Sequence, residues 1–423
     1  MFKLATINNK LLKNILVVAS GTAGAQLVAF LFMPIITRLY GPTEYGELGV
    51  FISLANIVLP IITLGYSAAI ILPKEEEEVK SLVHLSLLIG SGITVITLIV
   101  GLIAVNADFS FVSNGLTNNI FWLCLFICVA LLHEVGSAIL QRFKNFKNIA
   151  TLTFFHSIIN YGGQATLGLI NPISISLILM YIFSLGVKSI LIFSTIKPNR
   201  LTGCDIKEIK HVASKYKDFP LYRTPQLLIN AFAQSLPVVI LAYYSSPKEV
   251  GYYALARLTL AVPISLLGRS VKSVFYPHFN ELVLEGKTVV KLLKKTTVHL
   301  AVLGVIPFCA IYFYGPILFK VFFGGDWVKA GEYASYLSLW LYFALINLPS
   351  VSIVPVIKLQ KWYVKYEVVN LLLRGLGMVF AIKYFDEPLL AILVFALIGV
   401  GLNVYLIHYV NKRTENFEKL STE

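Results

Sequence analysis

Charge is what this sequence has least of. Only 13% of its 423 residues are Asp, Glu, Lys or Arg, while 57% are hydrophobic; a soluble domain is about a quarter charged and closer to half apolar. That composition excludes an ordinary water-soluble fold. Long polar stretches are missing too. Apolar runs of about 20 residues, enough to cross a hydrocarbon layer of about 30 Å, follow one another and leave no separate soluble domain. Catalytic signatures are also absent: with no Walker sequence, no H-E-x-x-H and no G-x-S-x-G, neither ATP-driven pumping nor hydrolase chemistry is indicated, and the chain does not read as an enzyme. The four cysteines, Cys124, Cys128, Cys204 and Cys309, lie in or beside apolar runs without histidines at metal-ligand spacing. They read as structural thiols, and no metal or other cofactor is implied.

The apolar runs describe an all-α integral membrane protein. Hydropathy and turn signals predict spans at 14–38, 46–72, 81–106, 120–140, 149–170, 172–195, 220–243, 249–274, 296–318, 332–357, 364–384 and 388–410. Twelve crossings return the chain to its starting side. Ala23-Gly24-Ala25 resembles a signal cleavage site, but the apolar run after Lys13 continues past it, so the first span is expected to be retained.

Orientation follows from the basic residues. The net charge of +13 would suggest nucleic-acid binding in a soluble protein, but here Lys and Arg are concentrated in short connections between apolar runs. With the N-terminus inside, about 24 of the 35 fall on the cytoplasmic side, among them Arg142, Lys144, Lys147, Lys358, Lys361, Lys365, Lys412 and Arg413. Outer loops or outer helix ends hold Arg38, Lys248, Lys320, Lys329 and Lys383. Both termini are therefore expected in the cytoplasm. The run Lys74-Glu75-Glu76-Glu77-Glu78 reads as a solvated loop.

The longest basic connection divides the spans six and six: an N-terminal lobe over 1–195, a connection over 196–218, and a C-terminal lobe with a short tail over 219–423. Pro42-Thr43-Glu44-Tyr45-Gly46 recurs as Pro247-Lys248-Glu249-Val250-Gly251. Because six is even, both halves enter from the same side, as in transporters built from parallel repeats. Two six-helix lobes around a central cavity are expected.

Function should reside in the polar groups retained inside the spans, since a charge at mid-bilayer costs roughly 2.5–3.5 kcal/mol even on the gentle insertion scale. Span seven carries Arg223, Gln226, Asn230 and Gln234, with Asn230 and Gln234 within about 20° of Arg223 around the helix. Span eleven carries Glu367, Asn370 and Arg374. Arg257 in span eight is about 12 Å below the outer surface and Arg374 about 16 Å above the inner one, so they share nearly one depth. Arg269 and Lys272 lie near the inner end of span eight, close enough to the cytoplasm to snorkel. In the N-terminal half, span two carries Ser53, Asn56 and Ser67, span five carries His156, Asn160 and Gln164, and the clearest buried acid is Glu134, which with His133 reads as a satisfied pair. Arg374 has a competing role as the ion-pair partner of Glu367. The excess of fixed positive charge with amide donors suits an anion, above all a phosphate, because guanidinium groups match its oxygens in pairs. The expected substrate-binding set is Arg257, Arg374, Arg223, Asn230, Gln234 and Asn370, with Glu134 and Glu367 as candidates for ion coupling.

Several segments together resemble a known family: Arg38-Leu39-Tyr40-Gly41-Pro42-Thr43-Glu44-Tyr45-Gly46, Leu72-Pro73 with the acidic run, Gln141-Arg142-Phe143-Lys144-Asn145-Phe146-Lys147, and Phe219-Pro220 leading to Gly251-Tyr252-Tyr253-Ala254-Leu255-Ala256. They look like the Wzx-type polysaccharide exporters, lipid-linked oligosaccharide flippases of the multidrug/oligosaccharidyl-lipid/polysaccharide (MOP) superfamily. The resemblance implies twelve helices around a V-shaped cavity, moving an undecaprenyl-diphosphate-linked oligosaccharide from the inner to the outer leaflet by alternating access. The product would serve O-antigen (lipopolysaccharide), capsule or exopolysaccharide synthesis. Its implied partners are that lipid-linked oligosaccharide, membrane lipids, a polysaccharide polymerase and chain-length proteins, and no nucleic acid. The competing readings are a MATE-like cation or drug antiporter and a membrane-embedded polymerase or glycosyltransferase. The latter would normally need a large polar outer loop, whereas 106–119 holds one charge, Asp108.

Overall fold

The computed structural model describes residues 9–106, 117–196, 205–284 and 288–422, with no strand among them. In chain order the helices are α1 (Asn9–Leu39), α2 (Pro42–Ile62), a short α3 (Tyr66–Ala69), α4 (Glu76–Asn106), α5 (Thr117–Arg142), α6 (Phe146–Ile170), α7 (Ser174–Ser194), a short α8 (Ile206–Lys215), α9 (Thr224–Tyr244), α10 (Pro247–Leu284), α11 (Val290–Phe323), α12 (Val328–Ile346), a short α13 (Leu348–Ile353), α14 (Gln360–Phe385) and α15 (Pro388–Thr422). Apart from α3, α8 and α13, the twelve long helices among the described residues fall on the twelve expected spans. The protein is an all-α membrane protein: in lipid every backbone polar group must be satisfied within the segment, and helices achieve that. By length and composition nine candidate spans occur among the described residues. Of the other three long helices, α6 and α12 are diluted by polar residues, among them His156, Asn160 and Gln164 on α6, and α10 contains side chains outside the described residues.

Continuous apolar runs conceal two breaks. Span two stops at Ile62; Leu64 (φ +45°) and Gly65 (φ +76°) turn the chain left-handed before α3 resumes. Glycine tolerates that region without a Cβ clash. The expected span 332–357 divides at Asn347 into α12 and α13. Elsewhere helices outrun the membrane: α10 has 38 residues, about 57 Å, and α15 has 35.

The repeated P-x-E-x-G segments do the same local work twice. Pro42 and Pro247 are the first residues of α2 and α10, where a missing amide hydrogen costs nothing. Glu44 and Glu249 lie in the first turns, favoured by the positive end of the helix dipole. Glu249 is also held by Lys329 Nζ at 2.6 Å and by the Tyr333 hydroxyl at 2.6 Å.

The chain forms two compact units, Met1–Ser235 and Leu236–Glu423. In the first, Phe51 meets Phe126 and Tyr181 edge-on at 5.9 and 6.4 Å between ring centres. The acidic run is solvated as expected, Lys74 to Glu77 being exposed, but it is not all loop: Glu76–Glu78 form the first turn of α4, and Glu78 pairs with Lys215 of α8 and accepts from the Tyr216 hydroxyl at 3.2 Å. Glu78, at a helix N-terminus facing a basic helix, is anchored rather than loose. In the second unit α11 and α12 pack closely at Gly315 and Gly331, where a Cβ on Gly331 would stand 2.5 Å from the Gly315 carbonyl oxygen. Close backbone approach supplies packing energy that lipid solvent does not. The segments 107–116, 197–204 (with Cys204) and 285–287 lie outside the described residues, as do the side chains of Arg269 and Lys272.

Candidate functional site

The first unit holds an open cavity of about 550 Å³ lined by α2, α5, α7 and α9. Asn56, His133, Glu134, Tyr181, Asn230 and Gln234 are on its wall. The helical stripe read from span seven is therefore real in part. Leu227, Asn230, Ala231 and Gln234 recur at three- and four-residue spacing and face the cavity together, and Gln234 Nε2 donates to Asn230 Oδ1 at 2.7 Å. Arg223 is not on this wall. It ends the wide π turn Phe219–Arg223 that precedes α9, exposed and 5.7 Å from the Phe219 ring centre. Pro220, which has no amide hydrogen, sits in that turn.

Glu134 and His133 do not form the expected pair. Being adjacent on a helix, they point about 100° apart. Glu134 Oε1 instead accepts from Ser67 Oγ at 2.7 Å and Thr63 Oγ1 at 3.4 Å, and the two hydroxyls are 2.9 Å apart. Both hydroxyls belong to the broken part of span two, so the break is what brings them to the carboxylate. Oε2 is buried with no hydrogen-bond partner. His133 Nε2 is 3.4 Å from Ser137 Oγ, and its Nδ1 is likewise buried and unpartnered. A carboxylate with one oxygen saturated and one open can take a proton, a cation or a donor from a bound molecule.

In the second unit Arg374 is only 8% exposed, and its guanidinium carbon lies 3.8 Å from the Trp340 ring centre and 3.6 Å from that of Phe395. The two rings stand 77° to one another with centres 5.5 Å apart, and the cation sits in the corner they form, held electrostatically and by packing. Its Nε donates to the Phe395 carbonyl at 3.3 Å, and its Nη2 is buried with no partner. The expected ion pair with Glu367 does not form: Tyr363 hydrogen-bonds Glu367, and no carboxylate among the described residues lies within ion-pair distance of Arg374. Arg257 Nη1 donates to the Tyr253 hydroxyl at 3.2 Å, and Arg257 is within electrostatic reach of Arg374. Asn370 Oδ1 is another buried atom without a partner. Arg257, Arg374 and Asn370 thus fall in one unit, and Asn230, Gln234 and Glu134 in the other.

Four contributors escaped the sequence reading. Thr63 is one hydroxyl in an apolar run. Trp340 and Phe395 look like ordinary lipid-facing aromatics. Lys188, alone in α7, had no periodic polar stripe to mark it. Among the described residues no group of His, Cys, Asp and Glu could hold a metal ion.

A family model described as polysaccharide biosynthesis protein matches residues 35–332. No curated protein matches the chain. Among solved structures, an inward-facing multidrug resistance MATE family transporter of the MOP superfamily aligns with a TM-score of 0.72 at 13% identity, covering 93% of this chain and 96% of that one. The lipid II flippase MurJ, in an inward closed conformation, gives 0.73 at 14% identity, covering 96% and 91%. A MOP superfamily transporter from Pyrococcus furiosus, described as having a binding pocket of reverse polarity, gives 0.59 at 13% identity and covers 96% of each chain. At such identities the likeness is one of fold: that of the MOP superfamily transporters.

Proposed function

The chain belongs to the polysaccharide biosynthesis protein family, and from that premise we propose that it is a flippase. Its substrate is an oligosaccharide repeat unit on undecaprenyl diphosphate, carried from the inner to the outer leaflet of a bacterial inner membrane by alternating access. The repeat then enters O-antigen, capsule or exopolysaccharide synthesis, with a polymerase and chain-length proteins acting downstream. The N-terminal lobe (1–195) and the C-terminal lobe (219–423) are the moving parts and 196–218 the cytoplasmic connection. The observation that carries the reading is Arg374, a membrane-buried guanidinium with an unpartnered nitrogen and a second guanidinium nearby.

The physical case is one of replacing water. A diphosphate crossing by lipid diffusion would drag charge through hydrocarbon, at a cost far beyond what a lipid tail recovers. Guanidinium and amide donors substitute for its hydration, and Arg257, Arg374, Arg223, Asn230, Gln234 and Asn370 supply them in this reading. Two negative charges leaving an inside-negative cell gain roughly 4–5 kcal/mol per 100 mV. Voltage can thus assist without ATP, with Glu134 or Glu367 as the coupling group where an ion gradient contributes.

Deleting the gene tests the proposal. Surface polysaccharide should disappear while the lipid-linked repeat accumulates on the cytoplasmic leaflet. One observation favours a second reading, a MATE-like cation or drug antiporter: the open carboxylate oxygen of Glu134 beside a cavity. Normal surface glycan with drug sensitivity as the only phenotype would select it.

A further inference from the structure

Lys188 is the only charged residue in α7. It is partly buried, and no carboxylate among the described residues pairs with it. What lies within its electrostatic reach is more base: His133 from α5 and His156 from α6. The neighbouring acceptors serve one another. Ser184 Oγ is 3.3 Å from His156 Nε2 and 3.4 Å from Asn160 Oδ1, which also accepts Gln164 Nε2 at 3.2 Å. Glu134, next to His133 in sequence, is turned toward Ser67 and Thr63. Three helices therefore converge on basic groups, and the one acid on the cavity wall, Glu134, has Oε1 engaged by Ser67 and Thr63 rather than by Lys188. An ammonium left so in a membrane span is costly, and such residues are typically retained for a task.

The cavity supplies the setting. Tyr181 and Leu185 line it, and Lys188 follows them by seven and three residues, on the same face of the helix. With the N-terminus inside, α7 runs from the outer to the inner surface. Helical side chains lean toward the helix N-terminus, so Lys188 leans toward the bilayer centre. Snorkelling to the cytoplasmic surface would take it the opposite way. Amide groups of Asn230 and Gln234 reach the same cavity.

We propose that Lys188, with His133, forms an anion-binding end of this cavity that takes a diphosphate group. The missing counter-charge is the ligand. That the diphosphate arrives on a lipid rests on the flippase reading above, whereas the anion site itself stands on the charge arrangement.

The test uses purified full-length protein in nanodiscs and three probes: farnesyl diphosphate, farnesol and inorganic diphosphate, with binding measured by calorimetry. Lys188→Gln should weaken farnesyl diphosphate at least about tenfold, as expected when one partner of a desolvated charge contact is removed, and leave farnesol unchanged. Lys188→Arg, which keeps the charge, should stay close to wild type. Without ligand, Lys188→Gln should melt no lower than wild type, because removing an uncompensated charge relieves a strain; a fall in melting temperature would mark Lys188 as structural and overturn the site. Equal farnesyl diphosphate binding by wild type and Lys188→Gln would also overturn it while leaving the flippase reading intact. Inorganic diphosphate held through Lys188 as tightly as farnesyl diphosphate would support the site and count against a lipid-linked substrate. A wild type that binds neither diphosphate overturns the site.

Discussion

Ser67 donates its hydroxyl to Glu134 Oε1 at 2.7 Å, from α3 just beyond the left-handed break in span two. The pairing joins a backbone irregularity to a membrane acid. Ser67→Ala leaves the carboxylate only the 3.4 Å contact with Thr63, so a loss of about 1–3 kcal/mol is expected, the penalty for a buried polar group deprived of its partner. A reduced thermal midpoint in detergent would register it. Glu134→Gln keeps a carbonyl oxygen for Ser67 and removes the titratable charge. The protein should remain abundant, while flipping in inverted vesicles should cease to respond to an imposed proton or sodium gradient. A gradient response that survives Glu134→Gln would move the coupling role to Glu367.

The break itself predicts a second effect. Gly65 has φ +76°, and a Cβ there would lie 3.0 Å from Thr224 Oγ1. Gly65→Ala should destabilise the protein by roughly 1–2 kcal/mol, the penalty of a left-handed residue with a Cβ. Gly65→Asn should cost less, since Asn tolerates that region. Thermal unfolding of both variants gives the order, and Ala matching wild type would mean the turn relaxes.

The helices were legible in the sequence because hydrocarbon thickness fixes how long an apolar run must be, and the Lys and Arg asymmetry has a physical cause. The breaks were not. Leu64 and Asn347 sit inside runs whose average hydropathy is unaffected by one reversed φ or one kink. Of the candidate site, the 100° rule put Asn230 and Gln234 on one face and both line the cavity. Arg223 shares that face but lies at the helix entrance, a distinction of depth and not of angle. The rule likewise gathered Glu367, Asn370 and Arg374, yet charge complementarity along one helix gave the wrong partner for Glu367, because Tyr363 one turn back competes for it. Contacts made across helices, such as Arg374 with Trp340 and Phe395, have no signature in linear spacing.

Topology makes an independent prediction. Single cysteines at Asn114 and Asp326 should react with an impermeant thiol reagent added outside intact cells, and one at Gly203 should not. Asp326 is exposed in the turn between α11 and α12, which the charge asymmetry assigns to the outside. External labelling at Gly203 would invert the assignment.

Arg374 permits the sharpest separation of structure from function. Packed against both Trp340 and Phe395 at under 4 Å, it fills space that Met can fill as an unbranched, polarisable chain. Its charge, by contrast, has no carboxylate at ion-pair distance to strand when it is removed, Glu367 acting on it only at longer range. Arg374→Met should therefore keep protein abundance near wild type and abolish flipping. Arg374→Lys retains the charge but loses the planar fork and the stacking, so it should restore only part of the activity. Were Arg374 serving Glu367, Arg374→Met would leave an uncompensated buried acid and lower abundance by several kcal/mol of lost stability, and adding Glu367→Gln would restore abundance and transport together. Flipping recovered by that double variant would remove Arg374 from the substrate path, whereas abundant, inactive single and double variants would place it there.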